Sequence, residues 1–279
     1  MNLRAVLARA LSFDYVGLYG ITNSLVRAPA SFDLIAIGKA AGPIADSVLD
    51  SWGNFGAGVV ILPDGAPAPR PHPRLEVFRA SHPLPDARSV VAGEAALSLA
   101  QKGEGSLLEI EVSGGASSLA AVPIEGVTLA TFRAVTAALL ASGADVRAIN
   151  VVRRHLSRVH GGGLARAAFP RRVDTAIVSD VIGGAPHDVG SGPGSPDPTT
   201  IEDARRVLAR YAPAFPDLPL GETLKPADAA AAHVESTIVL EPSFLADEIA
   251  HELEEAGYAP RVLAPSTANV EQLASEYRT

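Results

Sequence analysis

Short apolar runs alternate along this chain with longer amphipathic ones, the pattern of a mainly parallel sheet with helices between its strands. Asp33 to Ile37 reads as a strand that turns, through Gly38-Lys39-Ala40-Ala41-Gly42, into a helix reaching Leu49. Gly58 to Leu62 and Leu75 to Ala80 read as strands, separated by a loop from Pro63 to Pro73 whose prolines cannot join a ladder. Asp86 to Gln101 is predicted helical and Ser106 to Val112 a strand. Two helices follow, Thr128 to Ala141 and Asp145 to Val159, the second stopped by Gly161-Gly162-Gly163. Thr175 to Ser179 reads as a short buried strand ending in Asp180, and Ile182 to Pro198, rich in Gly and Pro, as a loop. Thr199-Thr200-Ile201-Glu202 has the spacing of a capping box at a helix start. Ser236 to Leu240, Ser243 to Ala256 and Pro260 to Leu263 continue as strand, helix and strand. The expected fold is α/β, a Rossmann-like three-layer sandwich, with residues 1–279 as one unit.

Composition narrows the function. With 47% hydrophobic residues in 279, the chain can bury a sizeable core, and 5% aromatics favour close helix-on-sheet packing. A net charge of −8 offers no general attraction to nucleic acid or anionic lipid, so neither is an expected partner. The absence of Cys excludes disulfides, thiolate metal sites and cysteine nucleophiles. The apolar stretch near Met1 is too short and broken for a secretory signal, and nothing approaches the roughly 20 apolar residues of a membrane span. The expected location is cytoplasmic.

The richest candidate chemistry lies at Ser113-Gly114-Gly115-Ala116-Ser117-Ser118, where an apolar strand empties into small residues that can open a helix. Backbone N–H groups in such a turn can converge on phosphate oxygens, and a helix starting there would add its positive end. Lys39 stands at another strand-to-helix turn, where a lysine can meet phosphate; the alternative is a solvated surface lysine. Neither the dinucleotide glycine pattern nor a Walker P-loop surrounds it. Asp180 follows a strand and can hold Mg²⁺ or accept a hydroxyl proton, or else cap a turn. His82, inside Ser81-His82-Pro83-Leu84-Pro85-Asp86, can bind an anion, shuttle a proton, or simply be a hydrogen-bonded loop residue. Arg153, Arg154, His155, Arg158 and His160 form a basic cluster in which Arg154 and Arg158 are expected to share a helix face. That face is either solvated or provides a carboxylate-binding arginine. Asp197, before Pro198 and Thr199, reads as structural.

In order and spacing these segments resemble the N-terminal domain of the glycerate 2-kinase family, whose second half is the MOFRL domain. Ala36-Ile37-Gly38-Lys39-Ala40-Ala41, the His82 segment and the Ser113 turn carry the resemblance. So do Ile149-Asn150-Val151-Val152-Arg153-Arg154-His155-Leu156-Ser157, Ser179-Asp180-Val181, Ser191-Gly192-Pro193 and Pro196-Asp197-Pro198-Thr199, most of residues 30–215. The resemblance implies ATP- and Mg²⁺-dependent phosphorylation of the 2-hydroxyl of D-glycerate, a small anionic substrate. It implies catalytic roles for Lys39 and Asp180, with Asp180 as metal ligand or base. Arg153 and His82 would bind substrate, and Ser113, Gly114, Gly115, Ala116 and Ser117 would bind nucleotide phosphate. The family's Pro-Gly-Asp-Asp after Ser179-Asp180-Val181 is here Ile182-Gly183-Gly184-Ala185, and its Lys-Gly-Gly-Arg is His160-Gly161-Gly162-Gly163. Both changes imply weaker ion binding.

The chain as read ends at Thr279, where the family continues into its MOFRL domain, so a separately encoded second-domain protein is an expected partner. A homo-oligomer is compatible with the sequence. The main alternative is a non-catalytic domain that binds a small anion or a protein. A reductase is disfavoured by the missing dinucleotide pattern.

Overall fold

The computed structural model describes residues 30–263 and 270–276. Contacts divide the chain into two compact units, Asp14–Glu241, and Met1–Phe13 with Pro242–Thr279. The first holds a six-stranded sheet in the order β3-β2-β1-β4-β5-β6. Its strands are β1 (Phe32–Ile37), β2 (Phe55–Pro63), β3 (Leu75–Ala80), β4 (Leu107–Ser113), β5 (Arg172–Val178) and β6 (Val234–Leu240). Every pairing is parallel. This is the Rossmann strand order, so the α/β expectation holds.

Helices separate the strands. Among the described residues of this unit they are α1 (Ala41–Ser51), α2 (Ala87–Lys102), α3 (Ala116–Leu119), α4 (Leu129–Ala141), α5 (Val146–Leu156), α6 (Gly163–Ala168) and α7 (Ile201–Tyr211). All six β1 residues are buried, as a central strand covered on both faces requires. On one face Ile35, Ile37, Ile61, Leu108, Ile110 and Val112 form a continuous core with Ala92, Ala96 and Leu97 of α2 and Leu164 of α6. On the other, α1 lies against β1, β2 and β4, and Trp52, which follows it, meets Phe32 edge-on at 5.3 Å. A second apolar cluster joins α4, α5 and α7 through Phe132, Val135, Ile149, Val152 and Leu208. Among the described residues, no helix is long and apolar enough to cross a membrane.

The other unit contributes α8 (Pro242–Glu255) and α9 (Val270–Glu276). Pro260 to Leu263, expected as a strand, is not one. Pro260 has no N–H to donate, and Arg261, Val262 and Leu263 are exposed with no ladder partner.

Three further local expectations change. Helix α5 stops at Leu156 rather than Val159 because the next residues find backbone partners elsewhere: Ser157 bridges Pro123, and the Arg158 N–H donates to the Val122 carbonyl at 2.8 Å. Arg154 and Arg158 therefore share no helix face. The capping box of α7 sits one residue later than expected, on Thr200 and Asp203. Thr199 is already engaged, its hydroxyl donating to Asp197 at 2.8 Å. The Ile182 to Pro198 loop contains a short 3-10 segment, Pro186–Ser191.

Candidate active site

The strand order reverses between β1 and β4, so the loops that follow them diverge and leave a crevice at the carboxyl edge, where open α/β sheets bind ligands. Two short hydrogen-bonded turns form its floor. The Lys39 N–H donates to the Gly114 carbonyl at 3.0 Å and the Ala40 N–H to Ser113 Oγ at 3.2 Å. So close an approach requires a glycine: Gly38 has φ of +138°, and a β-carbon there would fall 2.1 Å from Ser113 Oγ.

The turn after β4 gathers side chains from three other elements. A β-carbon on Gly115 would lie 3.1 Å from His82 Cδ2 and 3.5 Å from Lys39 Cε, and one on Gly114 only 2.1 Å from Asp180 Oδ2. Lys39 arrives from the end of β1 and Asp180 from the end of β5. His82 comes from the loop between β3 and α2, fixed at its far end by a reciprocal cap between Asp86 and Ser89. Partial burial, then the charges of Lys39 and Arg153, hold the His82 imidazole below its usual pKa, with Asp180 pulling the other way. Asp180 caps no turn: Ser179 Oγ takes the Val181 N–H at 3.1 Å. The Asp180 carboxylate remains exposed, with no hydrogen bond or ion pair to another described side chain.

From α5, Arg153 reaches the same turn, its Nη1 donating to Ser117 Oγ at 3.0 Å. It is only 8% exposed and its Nε has no hydrogen-bond partner. No described carboxylate lies within ion-pair distance. Desolvation lowers its pKa to about 10. A buried guanidinium without a counterion is costly and favours a bound anion. The solvated-face reading of the basic cluster is thus overturned, because Arg153, Arg154, His155 and His160 are all buried. Arg158 alone is surface-like, paired with Glu94 at 2.6 Å.

The adjacent arginine has protein partners instead. Arg154 is 1% exposed, with Nε 3.1 Å from fully buried Asp197 and Nη1 donating to the His187 carbonyl at 2.9 Å. Burial opposes ionisation of Asp197, but Arg154 and the Thr199 and Thr223 hydrogen bonds outweigh it and hold its pKa below the usual range. His160, where the resemblance places a lysine, is buried and desolvated to a pKa of about 4, so it carries no charge at neutral pH.

The helix expected to strengthen anion binding is a correction. Helix α3 spans four residues, too few for a useful macrodipole, because the chain turns away at Ala120. That leaves the turn's own N–H groups, with Lys39 and Arg153 beside them, as the groups an anion would meet there. No described group of three or more His, Asp or Glu side chains could hold a metal ion. The Asp180 carboxylate beside the Gly114 turn fits Mg²⁺ only as a hydrated ion carried by phosphate, which typically needs one or two protein carboxylates.

Sequence reasoning missed two features. Asn150 and Ser191, both buried, are hydrogen-bonded through Ser191 Oγ and Asn150 Oδ1 at 3.0 Å. Glu109 and Glu111, inside the run read as apolar, are each 1% exposed on one face of β4. The sequence signals were the Gly190-Ser191-Gly192 triplet and the i, i+2 spacing of the two acids.

Fold and site together define a Rossmann-type domain in which Lys39, His82, Arg153 and Asp180 gather around a glycine turn at the sheet's switch point. Residues 4–218 match a family described as "Domain of unknown function (DUF4147)", and the chain belongs to this family, of glycerate-kinase type. A protein named "D-glycerate 2-kinase" from Thermotoga maritima is 39% identical over 180 residues, 64% of this chain and 43% of that protein. One from Agrobacterium vitis named "Putative hydroxypyruvate reductase" is 38% identical over 238 residues, 82% of this chain and 53% of its own length. A crystal structure of glycerate kinase from Thermotoga maritima superposes with a TM-score of 0.74 at 29% identity, covering 91% of this chain and 62% of that one. The chain spans about half the length of these curated relatives.

Proposed function

We propose that this domain carries the phosphoryl-transfer site of a glycerate 2-kinase, moving the γ-phosphoryl group of ATP to the 2-hydroxyl of D-glycerate and giving 2-phosphoglycerate and ADP. One observation carries the reading: Lys39, His82, Asp180 and Arg153, from four separate segments, surround a single Gly114-Gly115 turn at the sheet's switch point. Relatives named as glycerate kinases support it.

Phosphoryl transfer depends on alignment and charge stabilisation more than on covalent chemistry. The N–H groups of the Ser113–Ser117 turn and the Lys39 ammonium would hold the phosphate oxygens. Arg153 would take the substrate carboxylate, a buried cation matched to an anion, and His82 would orient substrate or phosphate from the opposite side. As the 2-hydroxyl oxygen bonds to phosphorus and the bond to ADP breaks, the hydroxyl proton must leave, and Asp180 is the exposed carboxylate able to receive it. Mg²⁺ entering with ATP would neutralise phosphate charge, and Asp180 would then be its protein ligand. Lys39, His82 and Asp180 are open to solvent, so a second domain of MOFRL type, on the same or a separate polypeptide, would close the site and exclude water.

An ADP-release assay with D-glycerate, with and without a MOFRL-type domain, tests the proposal. Glycerate-dependent ADP release is expected. NADH consumption with hydroxypyruvate and no ADP release would replace the kinase with a reductase, a reading that the names of two relatives keep in view. Phosphate binding with neither activity would leave a non-catalytic anion-binding domain.

A further inference from the structure

Three consecutive residues behind the candidate site, Gly190, Ser191 and Gly192, have positive φ of 56°, 62° and 56°. Glycine enters this left-handed region freely, whereas a residue with a β-carbon does so at a conformational cost. Among the described residues the other non-glycine of this kind is Asn54, a type that tolerates the region better than serine. Something must therefore hold Ser191 in place.

Asn150 is the holder. Ser191 is fully buried and donates from Oγ to Asn150 Oδ1 at 3.0 Å, while Asn150 Nδ2 donates to the Asp188 carbonyl at 2.8 Å. One carboxamide thus spans residues 188 to 191. From the other side, the carbonyls of Ser191, Gly192 and Pro193 accept the N–H groups of Gly161, Gly162 and Leu164 at 2.9, 2.8 and 3.0 Å. The front of the turn presses on the site: a β-carbon on Gly190 would fall 2.6 Å from Ala116 Cβ and 3.0 Å from Val112 Cγ1. Asn150 also lies three residues before Arg153 on α5, so one helix fixes both the guanidinium at Ser117 and the turn behind Ala116.

We infer that Ser191 and Asn150 are positioning residues: their hydrogen bond clamps a strained left-handed turn whose Gly190 backbone sets the placement of the Gly114–Ala116 turn. The inference rests on reading that turn as the phosphate cradle. Ser191 need not touch ligand; it acts through Gly190 and Ala116.

Because the role is to place backbone, glycine should rescue what alanine loses. Ser191→Ala removes the hydrogen bond and keeps the β-carbon at positive φ, so the turn relaxes. Ser191→Gly removes the same bond but accepts the backbone without strain. Calorimetric ATP affinity is expected to fall about tenfold in folded Ser191→Ala, roughly 1.4 kcal/mol, and to stay within about twofold of the parent in Ser191→Gly. The amide resonances of Gly114, Gly115 and Ala116, recorded without ligand, should move in Ser191→Ala and return in Ser191→Gly. Equal losses in both variants, or none in either with unmoved resonances, would overturn the positioning role. If the parent protein binds no ATP, the phosphate-cradle reading fails on its own. The ligand-free resonances still decide whether Ser191 places the turn.

Discussion

Arg153 Nη1 and Ser117 Oγ are joined at 3.0 Å, and this is the hydrogen bond that a buried guanidinium makes while its Nε goes without one. A cation installed for folding would have a carboxylate, as Arg154 has Asp197 at 3.1 Å. The two adjacent arginines are thus distinguished by their partners. Arg153→Met should leave the thermal midpoint unchanged or raise it, because an uncompensated buried charge is removed. Glycerate affinity, measured by calorimetry, should fall at least about tenfold, since a hydrogen bond to a charged group contributes roughly 1.5–3 kcal/mol. A variant that loses stability but keeps affinity would make Arg153 structural.

Lys39 and Asp180 face the same turn with opposite charge and should fail differently. Lys39→Met removes a phosphate contact and should depress phosphoryl transfer by about 100-fold or more, the scale for one preorganised charge-stabilising group. Asp180→Asn should also suppress turnover. If Asp180 is a metal ligand, raising Mg²⁺ recovers part of the rate; if it is the proton acceptor, no Mg²⁺ concentration does. Full activity in either folded variant removes that residue from the mechanism. Circular dichroism should show the parent fold in both, because neither side chain makes a described hydrogen bond.

Much of this was legible in the sequence, for particular reasons. The buried strands β1 and β4 announce themselves as apolar runs ending in Gly38-Lys39 and Ser113-Gly114-Gly115, so both halves of the switch-point crevice are visible from local pattern. The fate of the basic cluster was not. Periodicity on α5 cannot say that Arg154 will find Asp197, 43 residues away in sequence, nor that Ser157 will leave the helix to bridge Pro123. Those outcomes depend on tertiary partners, as does the shift of the α7 cap once Asp197 has taken Thr199. The strain at Ser191 was hidden for the same reason, since a Gly-Ser-Gly sequence fits many turns and only the packing behind Ala116 selects this one.

Glu109 of β4 makes stability depend on pH. Register sets Glu109 beside Leu34 on β1 and Asp174 on β5. Burial first, then the Glu111 and Asp174 carboxylates, push Glu109 well above the ordinary glutamate range. A raised carboxyl pKa means that the folded state prefers the protonated form. Its contribution is complete below the ordinary glutamate pKa and is lost as pH rises through the folded value. Glu109→Gln keeps the shape and removes the titration, so its thermal midpoint should exceed the parent's at pH 8 and converge with it near pH 4. Parallel midpoint curves for the two proteins across that range would show that Glu109 does not titrate with folding.

Gly115 gives the most direct test of the anion turn. Its φ of +93° is a conformation that a β-branched residue strongly resists. A valine there would also direct its β-carbon to 3.1 Å from His82 Cδ2, close enough to shift the imidazole, while it reaches Lys39 Cε at an ordinary contact of 3.5 Å. Because the turn precedes a helix of only four residues, the disturbance should remain local while the sheet persists. Gly115→Val should weaken ATP and phosphate binding at least about tenfold, or roughly 1.4 kcal/mol. Gly115→Ala, with the smaller side chain but the same backbone conflict, should fall between valine and the parent. Calorimetry with inorganic phosphate separates the turn's own contribution from that of the nucleotide base. A folded Gly115→Val protein with unchanged phosphate affinity would reduce this turn to a tight connection between strand and helix, and would move the anion to Arg153.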